Sequence, residues 1–249
     1  MRGGRVLGGV YQLMNIALIS ESKRVSPAYL SQVAAALGKQ AARDFLPAWG
    51  VAATVAAFPN RKATPAGYWP IVIQDNIHEP GAAGFHTDSN HQPYSLVQYS
   101  PDWTVTASHE LLEMMADPWG NRLKSVSLPA MPGFKAQKVQ MLVEVADPCE
   151  AFSYTVDDVP VSDFLLKSWY DPLSAAHSKP CSFMGKLMTP REVANGGYCS
   201  FVAKDGAWYQ ITYFGTVKVT KLESLKGSSL RAAVDRYSAK NHKKLGKGK

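Results

Sequence analysis

The order in which hydrophobic periodicity changes along the chain restricts its fold more than any single residue does. "NIALIS" (15–20) is a short apolar run that reads as a buried strand. An Ala- and Leu-rich stretch over 26–50 then carries apolar residues about every 3.6 positions, with Ser26 as N-cap, Pro27 at the first helical position and a stop at Pro47 to Gly50. "VAATVAAF" (51–58), "YWPIVIQDNI" (68–77) and "PYSLVQYS" (93–100) read as strands, separated by the turn-rich "PNRKATPAG" and the polar loop "HEPGAAGFHTDSNHQ". A second helix carries "TASHELLEMMADP". This β-α-β-β-β-α order predicts an α+β protein with a mixed sheet and a motif-bearing helix in its first half, residues 1–125. Beyond Asn121 strand-like alternation takes over at 138–156, 162–172 and 196–214, with Asp205-Gly206 as a hairpin signal. A β-rich second half, residues 126–230, is expected to pack on the first, followed by a basic tail over 231–249.

Charge narrows the partners. The net charge is +7, but residues 231–249 hold seven Lys and Arg against one Asp and so account for six of those charges. The body is close to neutral, which confines any nucleic-acid binding to the tail; the ordinary reading of such a tail is a solvated extension. Cys149, Cys181 and Cys199 are widely spaced with no C-x-x-C and read as free thiols. The apolar stretch after Arg2 and Arg5 is interrupted by Gln12 and Asn15 and lacks an A-x-A site, so no signal peptide is expected and the default compartment is the cytoplasm. No apolar run reaches the roughly 18 residues of a membrane span.

The chemistry gathers on the second helix. With His109 at zero and about 100° per residue, Glu113 falls at about 40°, Asp117 at about 80° and Glu110 at about 100°, while Leu111, Leu112, Met114, Met115 and Ala116 take the opposite arc. The bland reading is a surface helix whose acidic face meets water. Against it, this face carries none of the chain's 27 Lys and Arg, and three acids beside one imidazole repel one another unless a cation sits among them. His109 and Glu113, one turn apart, are a workable ligand pair, and Glu110 beside them can take a proton from a water. A carboxylate in place of a second imidazole weakens the Lewis acidity of a bound metal and favours harder ions, so zinc is expected first, with Mn²⁺ or Ca²⁺ tolerated. Asp117 is the expected third ligand; Glu144, Asp147 and Glu150 in "VEVADPCE" are its rivals, readable also as turn formers or salt-bridge partners. His86, Asp88 and His91 have a spacing that binds metal or builds a turn, whereas His78, His177 and His242 have no supporting context. No G-x-S-x-G, P-loop or G-x-G-x-x-G is present.

The order of elements ending in "TASHELLEMMADP" resembles the catalytic half of zincin metallopeptidases, by topology over residues 15–120 and by motif over 109–113. The resemblance implies His109 as first zinc ligand, Glu110 as general base and Glu113 at the position of the second His ligand. It further implies that "PYSLVQYS" is an edge strand along a cleft, adding a peptide substrate by main-chain hydrogen bonds. The chain is also similar to bacterial and phage-type proteins with H-E-x-x-E followed by "DP", an "E-V-x-D-P" segment (144–148) and a "G-G-Y" turn (196–198). Tyr154, Tyr170 and Tyr198 are candidate oxyanion donors. The expected function is a metal-dependent hydrolase of the metallopeptidase kind acting on peptide or protein. The alternatives are a non-catalytic zincin-like protein with a structural metal and a partner surface, and a nucleic-acid-associated protein acting through its tail.

Overall fold

In the computed structural model of the chain, residues 13–79 and 81–222 are described. The basic tail expected over 231–249 lies outside them. Strand β1 (Leu13–Ser20) takes the "NIALIS" run into a five-stranded sheet, where Ile16, Ala17, Leu18 and Ile19 are fully buried, as an apolar run covered on both faces should be. Helix α1 (Pro27–Lys39) starts where the Ser26 hydroxyl accepts from the Tyr29 amide at 3.2 Å and proline occupies the first helical position. It runs on through a π-helical turn (Gln40–Phe45) and the short α2 (Leu46–Trp49) to Gly50, whose φ of 75° is the left-handed cap that glycine adopts without steric cost.

Strands β2 (Ala52–Phe58) and β3 (Tyr68–Gln74) flank β1 in parallel. Strand β4 (Gly84–Ser89) then forms a hairpin with β5 (Gln92–Gln98), turning at Asn90 and His91 with φ of 52° and 64°. Strand β5 pairs in parallel with β3, so the sheet order is β2-β1-β3-β5-β4. Two expectations are corrected here. The stretch expected as a polar loop contains β4, and "PYSLVQYS" is an interior strand with neighbours on both sides, so no substrate strand can add to it. The edges of this sheet are β2 and, beside β5, β4.

Helix α3 (Trp103–Ala116) packs against β4 and β5. The second half contributes β6 (Leu123–Leu128), β7 (Gln137–Leu142), β8 (Ser153–Val156), β9 (Val159–Ser162), α4 (Lys167–Tyr170), β10 (Tyr198–Val202), β11 (Trp208–Phe214) and β12 (Thr216–Lys221). Five of these form an antiparallel sheet of order β12-β11-β10-β7-β6, and β8 pairs with β9 in a separate ribbon. The Asp205-Gly206 turn joins β10 to β11 as its sequence predicts, with Gly206 at φ 74°. By contrast, the strand expected over 162–172 is replaced by the end of β9, an irregular segment and α4. The architecture is α+β, and one apolar cluster runs from Ile16, Leu37 and Leu111 to Val143, Phe164 and Phe201, joining both halves. No helix among the described residues is long and apolar enough to cross a membrane.

Candidate metal centre

The apolar face of α3 enters the shared core as its periodicity dictates: Ala107, Leu111, Leu112, Met114 and Met115 are buried. The acidic face is buried too. Glu110, Glu113 and Asp117 are 3%, 0% and 1% exposed, which overturns the reading of a surface helix with its carboxylates in water. What covers them is the segment that leaves β7. Its apolar residues Val143, Val145, Ala146 and Pro148 are buried with it, and it carries Glu144 and Asp147, themselves buried, and the half-buried Glu150 over the helix.

Main-chain groups hold this cover in place. The amides of Ala146 and Asp147 donate to Glu113 Oε1 at 3.2 and 3.3 Å, so the α3 carboxylate organises the turn that opens the 3₁₀ turn Asp147–Cys149. From behind, Gly197 lies so close that a Cβ there would stand 2.8 Å from the Asp147 carbonyl oxygen and 2.7 Å from that of Pro148. The Ala194 amide donates to the same Pro148 oxygen at 2.8 Å. The "E-V-x-D-P" and "G-G-Y" segments noted in the sequence are thus one packed unit.

Two sets of side chains converge between helix and cover. In the first, His109 Nε2 stands 3.1 Å from Asp147 Oδ1 and 3.3 Å from Glu113 Oε2. His109, Asp147 and Glu150 each offer a ligand atom, all within 4.8 Å of one another. In the second, His86 from β4, Glu113 and Glu144 do the same. A tetrahedral ion with bonds of about 2.0–2.1 Å keeps its ligand atoms about 3.3 Å apart, which is the spacing around His109.

The electrostatics of the first set follow from crowding. Burial opposes an imidazolium at His109, yet Glu113 and Asp147 outweigh it and hold the ring well above the ordinary histidine range. Burial, then the charge of Glu113, pushes the Asp147 carboxyl well up. Burial also raises Glu150 to about 8, with His109 opposing and Glu113 and Glu110 adding to the rise. His109, Asp147 and Glu150 thus each hold a proton to higher pH than usual, and a divalent cation among them would take the place of those protons.

The expected residues divide. His109 and Glu113 meet as the helical spacing implies, and Glu110 lies beside them with Oε2 facing His86 Nδ1 at 3.5 Å. Asp117 does not join either set: its Oδ2 accepts from the Arg122 amide at 2.6 Å, which ties down the turn after the helix. Pro118 ends the helix at that point, and the carboxylate closes the turn that follows it. The rivals Asp147, Glu150 and Glu144 come to the site instead. Of the three residues at His86, Asp88 and His91, only His86 points inward; Asp88 accepts from the His91 amide at 3.2 Å and builds the hairpin turn. The sequence carried no clear signal for His86, because β4 is written with Gly, Thr, Asp and Ser and its burial does not alternate. Among the tyrosines, Tyr154 donates to Asp44 at 2.8 Å and Tyr170 to the Glu144 carbonyl at 3.1 Å, so both hydroxyls are engaged in the scaffold. The three cysteines are free and buried.

Comparisons of the chain with protein-family models, curated proteins and solved structures return no match.

Proposed function

We propose that the chain is a metal-dependent hydrolase of the zincin-like kind, acting on peptide or protein, with its metal on the carboxylate face of α3. The observation that carries this is the meeting of His109 with Glu113 and Asp147 at 3.3 and 3.1 Å in an almost dry setting. His109, Asp147 and Glu150 would hold the ion, with Glu113 adjoining and zinc the first choice among Zn²⁺, Mn²⁺ and Ca²⁺. A divalent cation there supplies Lewis acidity to a substrate carbonyl and lowers the pKa of a water. Glu110 is the chain's own base: its Oε2 lacks a hydrogen-bond partner among the described residues, leaving it open to take a proton from water and pass it to the leaving group. A sheet followed by the motif helix is in keeping with the zincin resemblance. The edge along which a substrate strand would lie is β4.

A second reading has its own support. Glu110 at 3% and Glu113 at 0% exposure suit an ion that joins the two halves of the molecule without turnover. Incubating the zinc-loaded protein and its Glu110→Gln variant with a peptide library, with products followed by mass spectrometry, separates the two. Hydrolysis that falls by about 10²–10⁴ in the variant while bound zinc is unchanged supports the enzyme. No cleavage by zinc-loaded wild type, or equal cleavage by both proteins, sinks it and leaves the structural ion.

A further inference from the structure

We infer that the carboxylate face of α3 binds two divalent cations, with Glu113 as the ligand they share. The inference rests on the metal reading of the His109 set and adds to it a second position built around His86.

His86 is fully buried, and its Nε2 stands 3.1 Å from the main-chain oxygen of Asp117. A carbonyl oxygen only accepts, so Nε2 carries the ring proton and donates it. In the neutral ring Nδ1 is then the basic nitrogen. It has no hydrogen-bond partner among the described residues and faces Glu110 Oε2 at 3.5 Å and Glu113 Oε2 at 3.7 Å. A lone pair opposed to two carboxylates in a dry interior is repulsive. A proton on Nδ1 would draw an oxygen in to about 2.7–2.9 Å, which neither carboxylate approaches. A cation would not need that: ligand atoms about 2.0–2.2 Å from a common ion stand about 3.3–3.6 Å apart at a tetrahedral angle and further apart at a wider one, which admits His86 Nδ1 and Glu113 Oε2 at 3.7 Å. A histidine whose other nitrogen donates to a main-chain carbonyl is also the usual form of a metal-binding imidazole, because that bond fixes the tautomer and aims the ring.

Glu113 joins the two positions. Its Oε1 is held by the amides of Ala146 and Asp147, which leaves Oε2 between His109 Nε2 at 3.3 Å and His86 Nδ1 at 3.7 Å. His86, Glu113 and Glu144 gather on one side of it, and His109, Asp147 and Glu150 on the other. In two-metal sites the ions lie about 3.5–4 Å apart, close enough for one carboxylate to serve both. The donor set points the same way: the carboxyl groups of Glu110, Glu113, Glu144, Asp147 and Glu150 lie about two imidazoles, more oxygen and nitrogen ligands than one ion of four-fold coordination takes.

The test is a count of ions on the full chain, loaded with Zn²⁺ alone or Mn²⁺ alone, freed of loose metal and measured by elemental analysis. Wild type should hold two ions per chain. His86→Ala, and the near-isosteric Glu144→Gln should the first variant fail to fold, should each hold one. Loaded with Mn²⁺, wild type should show the exchange-coupled paramagnetic spectrum of a neighbouring pair, and both variants that of an isolated ion. A single ion in wild type that is lost in His109→Ala but kept in His86→Ala overturns the pair and leaves the hydrolase reading standing. Two ions retained in both His86→Ala and Glu144→Gln overturn the second position as drawn. No ion in wild type after zinc is added back overturns both readings.

Discussion

At the scale of single residues, Gly197 packs directly on the main chain that carries Asp147. A methyl group at Gly197 would press on the carbonyls of Asp147 and Pro148 at 2.8 and 2.7 Å, and main chain cannot swing aside as a flexible side chain can. Gly197→Ala should therefore lower stability by about 1–3 kcal/mol and weaken zinc binding as Asp147 is displaced. Gly38→Ala, where the new methyl meets only ordinary contacts near 3.8 Å inside α1, is the control and should leave binding unchanged. Competition with a chromogenic chelator reads the affinities; equal zinc affinity in Gly197→Ala and wild type would refute this role. The same scale shows what the sequence could reveal. His109, Glu110 and Glu113 were legible because helical geometry relates them within one turn. Asp147 was visible only as a candidate, since it reaches His109 from 38 residues away through a fold that no local pattern encodes. Asp117 lay on the correct face by angle, but the helix ends there and its carboxylate closes the following turn.

At the scale of elements, α3 is fixed to its neighbours by a buried polar knot placed one residue before His109. The Ser108 hydroxyl donates to Gln40 Oε1 at 2.7 Å and accepts from the Ser162 amide at 2.9 Å. Gln40 Nε2 in turn donates to the Ser162 carbonyl at 3.0 Å and to the Tyr154 hydroxyl at 3.1 Å. Gln40 opens the π-helical turn, so the irregularity in the first helix coincides with the point where that helix, α3 and β9 are tied together. Ser108→Ala strands a buried amide and a buried amide oxygen and should cost about 1–3 kcal/mol. In a chain of this size that is a fall in melting temperature of about 2–4 °C per kcal/mol. Ser31→Ala, at an exposed serine that bonds only to its own helix, should stay within about 0.5 kcal/mol. Calorimetry that finds the two variants alike would show that the knot does not hold the helix. Elements with a clear period, β1, α1 and α3, were legible in advance. β4 was not, because an edge strand written with Gly, His, Thr, Asp and Ser has the composition of a turn. The segment at 162–172 misleads for the opposite reason, its apolar residues serving a core that buries irregular chain.

At the scale of the whole molecule, the proposed ligands come from both halves: His86, His109 and Glu113 from the sheet and helix of the first, Glu144, Asp147 and Glu150 from the cover supplied by the second. An ion that bridges them binds the native state and has no comparable site in the unfolded chain. At free metal about 1,000-fold above Kd each ion adds about 4 kcal/mol, or about 8–16 °C in melting temperature for a chain of this size. Stripping with chelator should remove that increment. The size of the effect should also depend on pH. Without an ion, Glu150 is raised by burial from 4.5 to about 8, so its protonation stabilises the fold fully below the lower value and that contribution is lost as pH rises through the upper one. A cation replaces the proton and is favoured by the same rise in pH, since protons compete for its ligands. The gap in melting temperature between loaded and stripped protein should therefore widen from about pH 6 to about pH 9. A gap that is constant, or that narrows, across that range in scanning calorimetry would show that proton and metal do not share this cluster.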